Sequence, residues 1–297
     1  MPNEILMKHI TEPTLSKFEL HLNVESADTN ALELLKTHCE LPVSQIKAAV
    51  AKGALWLEKG KSVKRFRRIK KALAPNNKLH FYFDEKILNQ EVADAILLAD
   101  YDDYSIWYKP YGMLSHGSKW SEHTTITRFV SEFFEHQRPV FLVHRLDRAA
   151  QGIIVVAHTK SATRELAKLF EHHNLTKIYW AICHNNTLEN QARIIELPID
   201  EKPAKSTVEA IDYKVQDNIT LVSINIETGR KHQIRKHLAS INMPIVGDRL
   251  HGHAISDSET NLQLCAVHLS FSCPITEREV NINLPENLKP NIQDIQL

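Results

Sequence analysis

Short apolar runs of strand length set the strongest limit on what this chain can fold into. Beyond residue 100 they fall at 105–108, 152–157, 177–183, 219–226 and 267–271. Two stretches there carry helical spacing: 161–172, with Leu166, Leu169 and Phe170 on one face, and 232–241, with Ile234, Leu238 and Ile241. Strands outnumber helices and do not alternate with them. This excludes a doubly wound parallel sheet and predicts an α+β domain on a mixed or antiparallel sheet.

At 297 residues the chain is about two domain lengths, and 43% hydrophobic content is enough for two cores. Its composition divides it into an N-terminal extension over 1–27, a small αα–β module over 28–84, a linker over 85–100 and the larger domain over 101–297. Leu88, Val92, Ile96 and Leu97 stand at helix-like spacing, so the linker is read as a connector or an opening helix. Within the module, Asp28 or Thr29 can cap a helix carrying Leu32 and Leu35. Ser44 can cap a second with Ile46 and Val50, and Gly53 is a natural stop. Strands follow at 54–58 and 78–83, with a turn at Lys59-Gly60-Lys61.

Charge is where the average misleads. The 36 basic residues balance 36 acidic ones, and zero net charge alone argues against a polyanionic partner. Yet residues 41–80 hold eleven Lys or Arg against a single acid, Glu58. Eight of these cations lie between Lys59 and Lys71, among them Lys61, Lys64, Arg65, Arg67 and Arg68. A like-charge run by itself is a solvated face; inside a compact module it becomes a candidate phosphate-contacting surface.

Several classes are excluded. No apolar run approaches the roughly 18 residues a membrane helix needs. Glu4, Lys8 and Glu12 interrupt the N-terminus, so no secretory signal is read there and the expected location is the cytoplasm. Cys39, Cys183, Cys265 and Cys273 form no Cys-x-x-Cys pair, which argues against a disulfide framework or a zinc site. His232 and His237 are five apart, not the four that place two ligands on one helical face, so no metal is expected.

Two polar clusters are where chemistry could reside. Only eight glycines occur where average composition gives about twenty, and most adjoin these clusters. In Val143-His-Arg-Leu-Asp-Arg-Ala-Ala-Gln-Gly152, Asp147 lies between Arg145 and Arg148, just ahead of an apolar strand. Neighbouring cations keep a carboxylate ionised, which suits a nucleophile or base, though the pattern alone equally fits a loop-anchoring salt bridge. In Glu227-Thr-Gly-Arg-Lys-His-Gln-Ile-Arg-Lys-His-Leu238, a turn at Gly229 opens a cationic helix containing Arg235. Such a turn can receive a phosphate or a carboxylate, and taken alone it is also an ordinary basic helix face.

The module resembles the S4 RNA-binding domain over Val43 to Lys61, with Glu58 where such domains usually carry Asn. The two clusters, with Lys109-Pro-Tyr-Gly-Met113, Lys177-Ile-Tyr179 and Val246-Gly-Asp-Arg-Leu250, resemble the RluA-type family of RNA pseudouridine synthases in its own motif order, over about residues 95 to 285. The resemblance implies an α+β fold and a cofactor-free, metal-free isomerase acting on ribosomal or transfer RNA, expected to be monomeric.

It also implies roles. Asp147 is the essential carboxylate, attacking C1′ or removing the C2′ proton; Arg235 pairs with it, and Tyr179 stacks on the flipped base. Arg145 is implied to hold the target nucleotide out of its helix, a step that costs a few kcal/mol. His144, Arg148, Arg230, His232 and Lys109 join the RNA-binding set, with Lys61, Lys64, Arg65, Arg67 and Arg68 in the basic run. Two departures stand out: Ala149-Ala-Gln151 replaces the usual Asp-Thr-Ser, and Cys265 replaces a histidine. A non-catalytic RNA-binding protein of the same fold is the main alternative. A glycoside hydrolase is disfavoured, because no second carboxylic acid accompanies Asp147.

Overall fold

A computed structural model describes residues 17–27, 29–188, 191–252 and 260–295. Contacts divide the chain into two compact units: residues 1–91 with 117–124, and residues 92–116 with 125–297. Most of the extension expected ahead of 28, and the cap expected at Asp28, lie outside the described residues.

The first unit contains β1 (Lys17–Asn23), α1 (Ala31–His38), α2 (Val43–Ala51), β2 (Leu55–Lys59), β3 (Ser62–Arg65), β4 (Lys78–Asp84) and α3 (Glu85–Leu88). Its four strands form an antiparallel sheet in the order β1-β4-β2-β3. Asn30 caps α1, its side chain accepting the Glu33 N–H at 3.0 Å, while α2 starts at Pro42 without a side-chain cap. Leu35 and Ile46 from the helices meet Leu55, Leu79 and Phe81 from the sheet in a fully buried core. Two elements differ from expectation. The strand β1 lies ahead of the boundary placed at 28, and β3 begins inside the basic run, where Gly60 at φ +57° closes the β2–β3 hairpin.

The second unit contains β5 (Ile96–Asp100), β6 (Tyr104–Lys109), α4 (Ile126–Phe133), β7 (Phe141–Leu142), β8 (Gln151–Ala157), α5 (Lys160–Glu171) and β9 (Thr176–His184). There follow β10 (Arg193–Ile195), β11 (Ser206–Lys214), β12 (Ile219–Ile226), α6 (Gln233–Ser240), β13 (Leu264–Ser272) and β14 (Glu279–Asn283). Ten strands form one sheet whose main path is β10-β11-β12-β9-β13-β8-β6-β5, with β14 on β13 and β7 on β8. The opening helix considered for 85–100 does not form. The chain makes the single turn of α3, then pairs Ile96 with Tyr108 and Leu97 with Trp107, so the sheet satisfies backbone groups a helix would have bonded internally.

Among the described residues, β8 and β13 are the one parallel pair in this otherwise antiparallel sheet. Their contact requires glycine at 152. Gly152 has φ +110°, and a Cβ there would overlap the Ala266 backbone. The polar loop carrying Asp147 leads directly into this junction. No helix among the described residues is long and apolar enough to cross a membrane.

Candidate active site

Asp147 lies in the loop between β7 and β8, and the segment after β6 braces that loop. The Ser115 hydroxyl donates to the Leu146 carbonyl at 2.7 Å and accepts the Leu146 N–H at 3.0 Å. The Gly112 N–H donates to the Arg148 carbonyl at 3.0 Å. Lys109 Nζ donates to the carbonyls of Ala150 at 2.6 Å, Met113 at 2.8 Å and Pro110 at 3.1 Å. Satisfied backbone groups on both sides of Asp147 hold its position before any ligand arrives.

This corrects two expected RNA contacts. Lys109 is fully buried, and burial lowers its pKa to about 7 against the opposing charge of Asp147. Its ammonium is committed to three carbonyls, so it braces the loop and does not face a phosphate. His144 stacks on Phe170 at 4.0 Å, and its Nε2 accepts the Val155 N–H at 2.9 Å. Burial pushes its pKa down to about 3, with Lys177 adding to the effect. A neutral, hydrogen-bonded imidazole is a wall of the loop and offers no charge to RNA.

The motif departure at 149–151 also has a local account. Ala150 is buried, and the Gln151 Oε1 accepts the Tyr108 hydroxyl at 2.8 Å. Strand β6 therefore supplies the partner that fixes the end of the loop. Cys265 pairs with Gln151 across the β8–β13 junction, and burial pushes its thiol up to about 12. It is an uncharged packing group there.

The second cluster forms the facing wall. Gln233, 3% exposed, ties down the turn before α6: its Oε1 accepts the Thr228 hydroxyl at 2.8 Å and the Arg230 N–H at 3.0 Å. Its Nε2 donates to the Lys205 carbonyl and the Ser206 hydroxyl. Arg230 Nε donates to the Pro203 carbonyl at 3.1 Å, and its side chain still borders the cleft.

Arg235 was expected to pair with Asp147; it stands within ion-pair reach of it at 3.8 Å, and its tight partner is Asp248. Its guanidinium makes a two-pronged bond to Asp248, Nε to Oδ2 at 2.8 Å and Nη2 to Oδ1 at 2.5 Å, with both side chains buried. Asp147 Oδ2 stands 3.8 Å from Arg235 Nη1 and 3.7 Å from His232 Nε2. Burial alone would raise the Asp248 pKa, but Arg235 and the N–H groups of Leu250 and His251 hold it below the ordinary carboxylate value. Asp248 was in a recognised motif with no role assigned. The missing signal is pairing across thirteen residues of chain, which spacing alone does not reveal.

Asp147, Tyr179 and Arg235 thus come together on one open cleft, with Arg145, Ile226 and Leu264 among its other walls. Tyr179 on β9 is 9% exposed, and burial, reinforced by the charge of Asp147, raises its phenol pKa, so the hydroxyl stays protonated. Arg235 compensates the charge of Asp147 and His232 faces it, both from beyond hydrogen-bond distance. Neither consumes its lone pairs, which leaves the carboxylate available to a bound molecule.

Comparison with known proteins bears on this arrangement. The family described as RNA pseudouridylate synthase matches residues 103–240, a span containing all three side chains. The tRNA pseudouridine synthase C of Vibrio cholerae is 32% identical over 208 residues, covering 59% of this chain and 84% of that protein. The chain belongs to the RluA-type family of RNA pseudouridine synthases. The dual-specificity RNA pseudouridine synthase RluA of Escherichia coli is 31% identical over 52% of this chain and 76% of its own. Human RNA pseudouridylate synthase domain containing 1 shares the fold with a TM-score of 0.55 and 20% identity, covering 66% of this chain and 86% of that one.

In the basic run of the first unit, two expected phosphate contacts are already engaged. Arg65 Nε pairs with Glu122 Oε2 at 2.6 Å, its Nη2 donates to the Ser118 carbonyl at 2.6 Å, and its guanidinium lies 4.4 Å over the Trp56 ring. Burial lowers its pKa to about 10, and the charge of Arg67 adds to the effect. Arg67 pairs with the other oxygen of Glu122. Lys61, Lys64 and Arg68 are exposed. Sequence reading missed Glu122 because it lies over fifty residues away, in the 117–124 segment that returns to this unit.

Proposed function

We propose that the chain converts specific uridines in structured ribosomal or transfer RNA to pseudouridine, with Asp147 as the essential carboxylate. The observation that carries the reading is Asp147 with Arg235 at 3.8 Å, lining one cleft with Tyr179, in a chain of this family. In the net reaction the C1′–N1 bond breaks, a C1′–C5 bond forms, and the proton lost from C5 is balanced by one gained at N1. The target leaves its stack to enter the cleft, at a cost of a few kcal/mol that Arg145 and the other exposed cations offset. Arg148, Arg230 and His232 complete the RNA-facing set. RNA carrying tritium at uridine C5 tests the reading: the protein is expected to release tritium in step with pseudouridine formed. No release from any ribosomal or transfer RNA would overturn it.

Tyr179 is the base-stacking wall in this reading. Tyr179→Phe keeps the aromatic face and loses only the hydroxyl, whereas Tyr179→Ala loses both. Stacking is worth about 1–3 kcal/mol per base. Alanine is therefore expected to weaken capture of the target by about fivefold or more relative to phenylalanine, read as KM in single-turnover kinetics. Equal KM for the two variants would place the base elsewhere.

The first unit is proposed to act as an S4-like RNA-binding domain, supported by two helices on an antiparallel sheet and an exposed basic run. Replacing Lys61, Lys64 and Arg68 by Ser is expected to flatten the slope of log affinity against log salt by up to about 2–3 units. Saturated turnover is expected to change little, since phosphate contacts position the substrate without entering the chemistry. Arg65→Ser is expected to lower thermal stability instead, because the Gly53 and Ser118 carbonyls lose their donor and Glu122 loses one of its two arginines.

A further inference from the structure

His232 starts α6 in a left-handed backbone conformation, φ +56°, and its side chain makes no capping bond to the helix. Its ring is thereby free to engage other groups at both nitrogens. Nδ1 lies 3.0 Å from His251 Nε2, the rings set at 71°, and Nε2 lies 3.7 Å from Asp147 Oδ2. His251 is itself fixed by the Asp248 turn: its N–H and that of Leu250 both donate to Asp248 Oδ1 at 3.0 Å. The carboxylate that clamps Arg235 therefore also places the partner of His232.

Between two neutral imidazoles in contact, one nitrogen carries the shared proton. If His232 donated from Nδ1, its bare Nε2 would turn a lone pair toward the Asp147 carboxylate, which is repulsive. If His251 donates from Nε2, His232 carries its proton on Nε2 and presents it to Asp147, which is attractive. We propose that His251 is a positioning residue, holding His232 in the Nε2–H tautomer that faces Asp147. The proposal rests on Asp147 being the reacting carboxylate. The His232–His251 pair then orients the aspartate without taking it into a tight ion pair.

The surrounding charges agree with a neutral pair. Around His232 stand Asp147, Arg235, His251, Lys231 and Asp200; around His251 stand Asp248, Arg235, Lys236, Asp147 and His232. Burial lowers both imidazole pKa values, the neighbouring cations add to this, and the carboxylates oppose it. Near neutral pH both rings are uncharged, so the tautomer is the property that His251 controls.

The test is imidazole-nitrogen NMR on the full-length protein, with kinetics on His251→Phe and His251→Gln. Wild type is expected to show His232 with Nε2 protonated and Nδ1 bare. His251→Gln, whose carboxamide N–H can reach the same place, is expected to keep that pattern. His251→Phe, which removes the donor to Nδ1 and leaves Asp147 as the remaining bias, is expected to admit a detectable Nδ1–H population. The single-turnover rate is expected to fall about tenfold in the Phe variant with KM for RNA unchanged, and to recover to within about threefold in the Gln variant. A bare Nε2 on His232 in wild type overturns the proposal without any variant. So do unchanged His232 nitrogens in His251→Phe, or a shifted tautomer at an unchanged rate. The NMR result does not depend on turnover, whereas a missing tritium release counts against the proposed reaction and leaves the tautomer result standing.

Discussion

Asp147→Asn is expected to abolish pseudouridine formation, lowering turnover by at least about 10⁴-fold, while leaving the fold intact. The substitution keeps volume and removes charge. Its structural cost is small because the carboxylate is 22% exposed and Arg235 and His232 stand 3.8 and 3.7 Å away, so no tight ion pair is broken. Neither proposed role survives, since an amide neither attacks C1′ nor accepts the C2′ proton at a useful rate. RNA affinity is expected to hold or tighten, because a negative charge facing a polyanion has gone. Asp147→Glu distinguishes position from charge: one methylene moves the carboxylate by about 1 Å, which at a preorganised site costs about 10²-fold. Measurable turnover by the Asn variant, with deamidation excluded by mass spectrometry, would remove Asp147 from the chemistry.

What was legible in the sequence is what depends on local pattern. The strand read at 219–226 and the helix read at 161–172 coincide with β12 and α5 to within a residue at each end, because burial on a sheet or one helix face leaves a period in the residues themselves. The strands that escaped notice carry weaker periods. In β3 most side chains are exposed, and β11 is largely exposed beyond its first three residues, so neither has a continuous apolar face. At the site, the motifs placed Asp147, Tyr179 and Arg235 on one cleft, yet the tight partner of Arg235, Asp248, was invisible. Lys109 and Arg65 look like solvent-facing cations until the fold supplies three carbonyls for one and Glu122 for the other. A cation's residue type states its charge, and only the tertiary structure states whether that charge is already spent.

Arg235→Ala and Asp248→Ala are each expected to destabilise the protein by about 3–5 kcal/mol, the usual consequence of leaving one member of a buried pair uncompensated. The double variant is expected to lose clearly less than the sum, since it removes both charges together. Asp248→Ala carries an additional loss, because the N–H groups of Leu250 and His251 also forfeit their acceptor. Arg235 combined with Asp147→Ala is expected to be close to additive in stability, in keeping with a 3.8 Å separation and a partly exposed carboxylate. The pH dependence follows from the direction of the Asp248 shift. Its folded pKa lies below the ordinary 3.8, so its contribution is complete above the unfolded value and is lost as pH falls through the folded one. Wild type is thus expected to lose stability relative to Asp248→Asn only on acidification below about pH 4. Arg235→Lys keeps charge but cannot make the two-pronged bond, so it is expected to recover only part of the stability. Additive losses for Arg235 and Asp248 in urea melts would mean that the buried pair does not form in solution, and the account of how Arg235 is held beside Asp147 would fall with it.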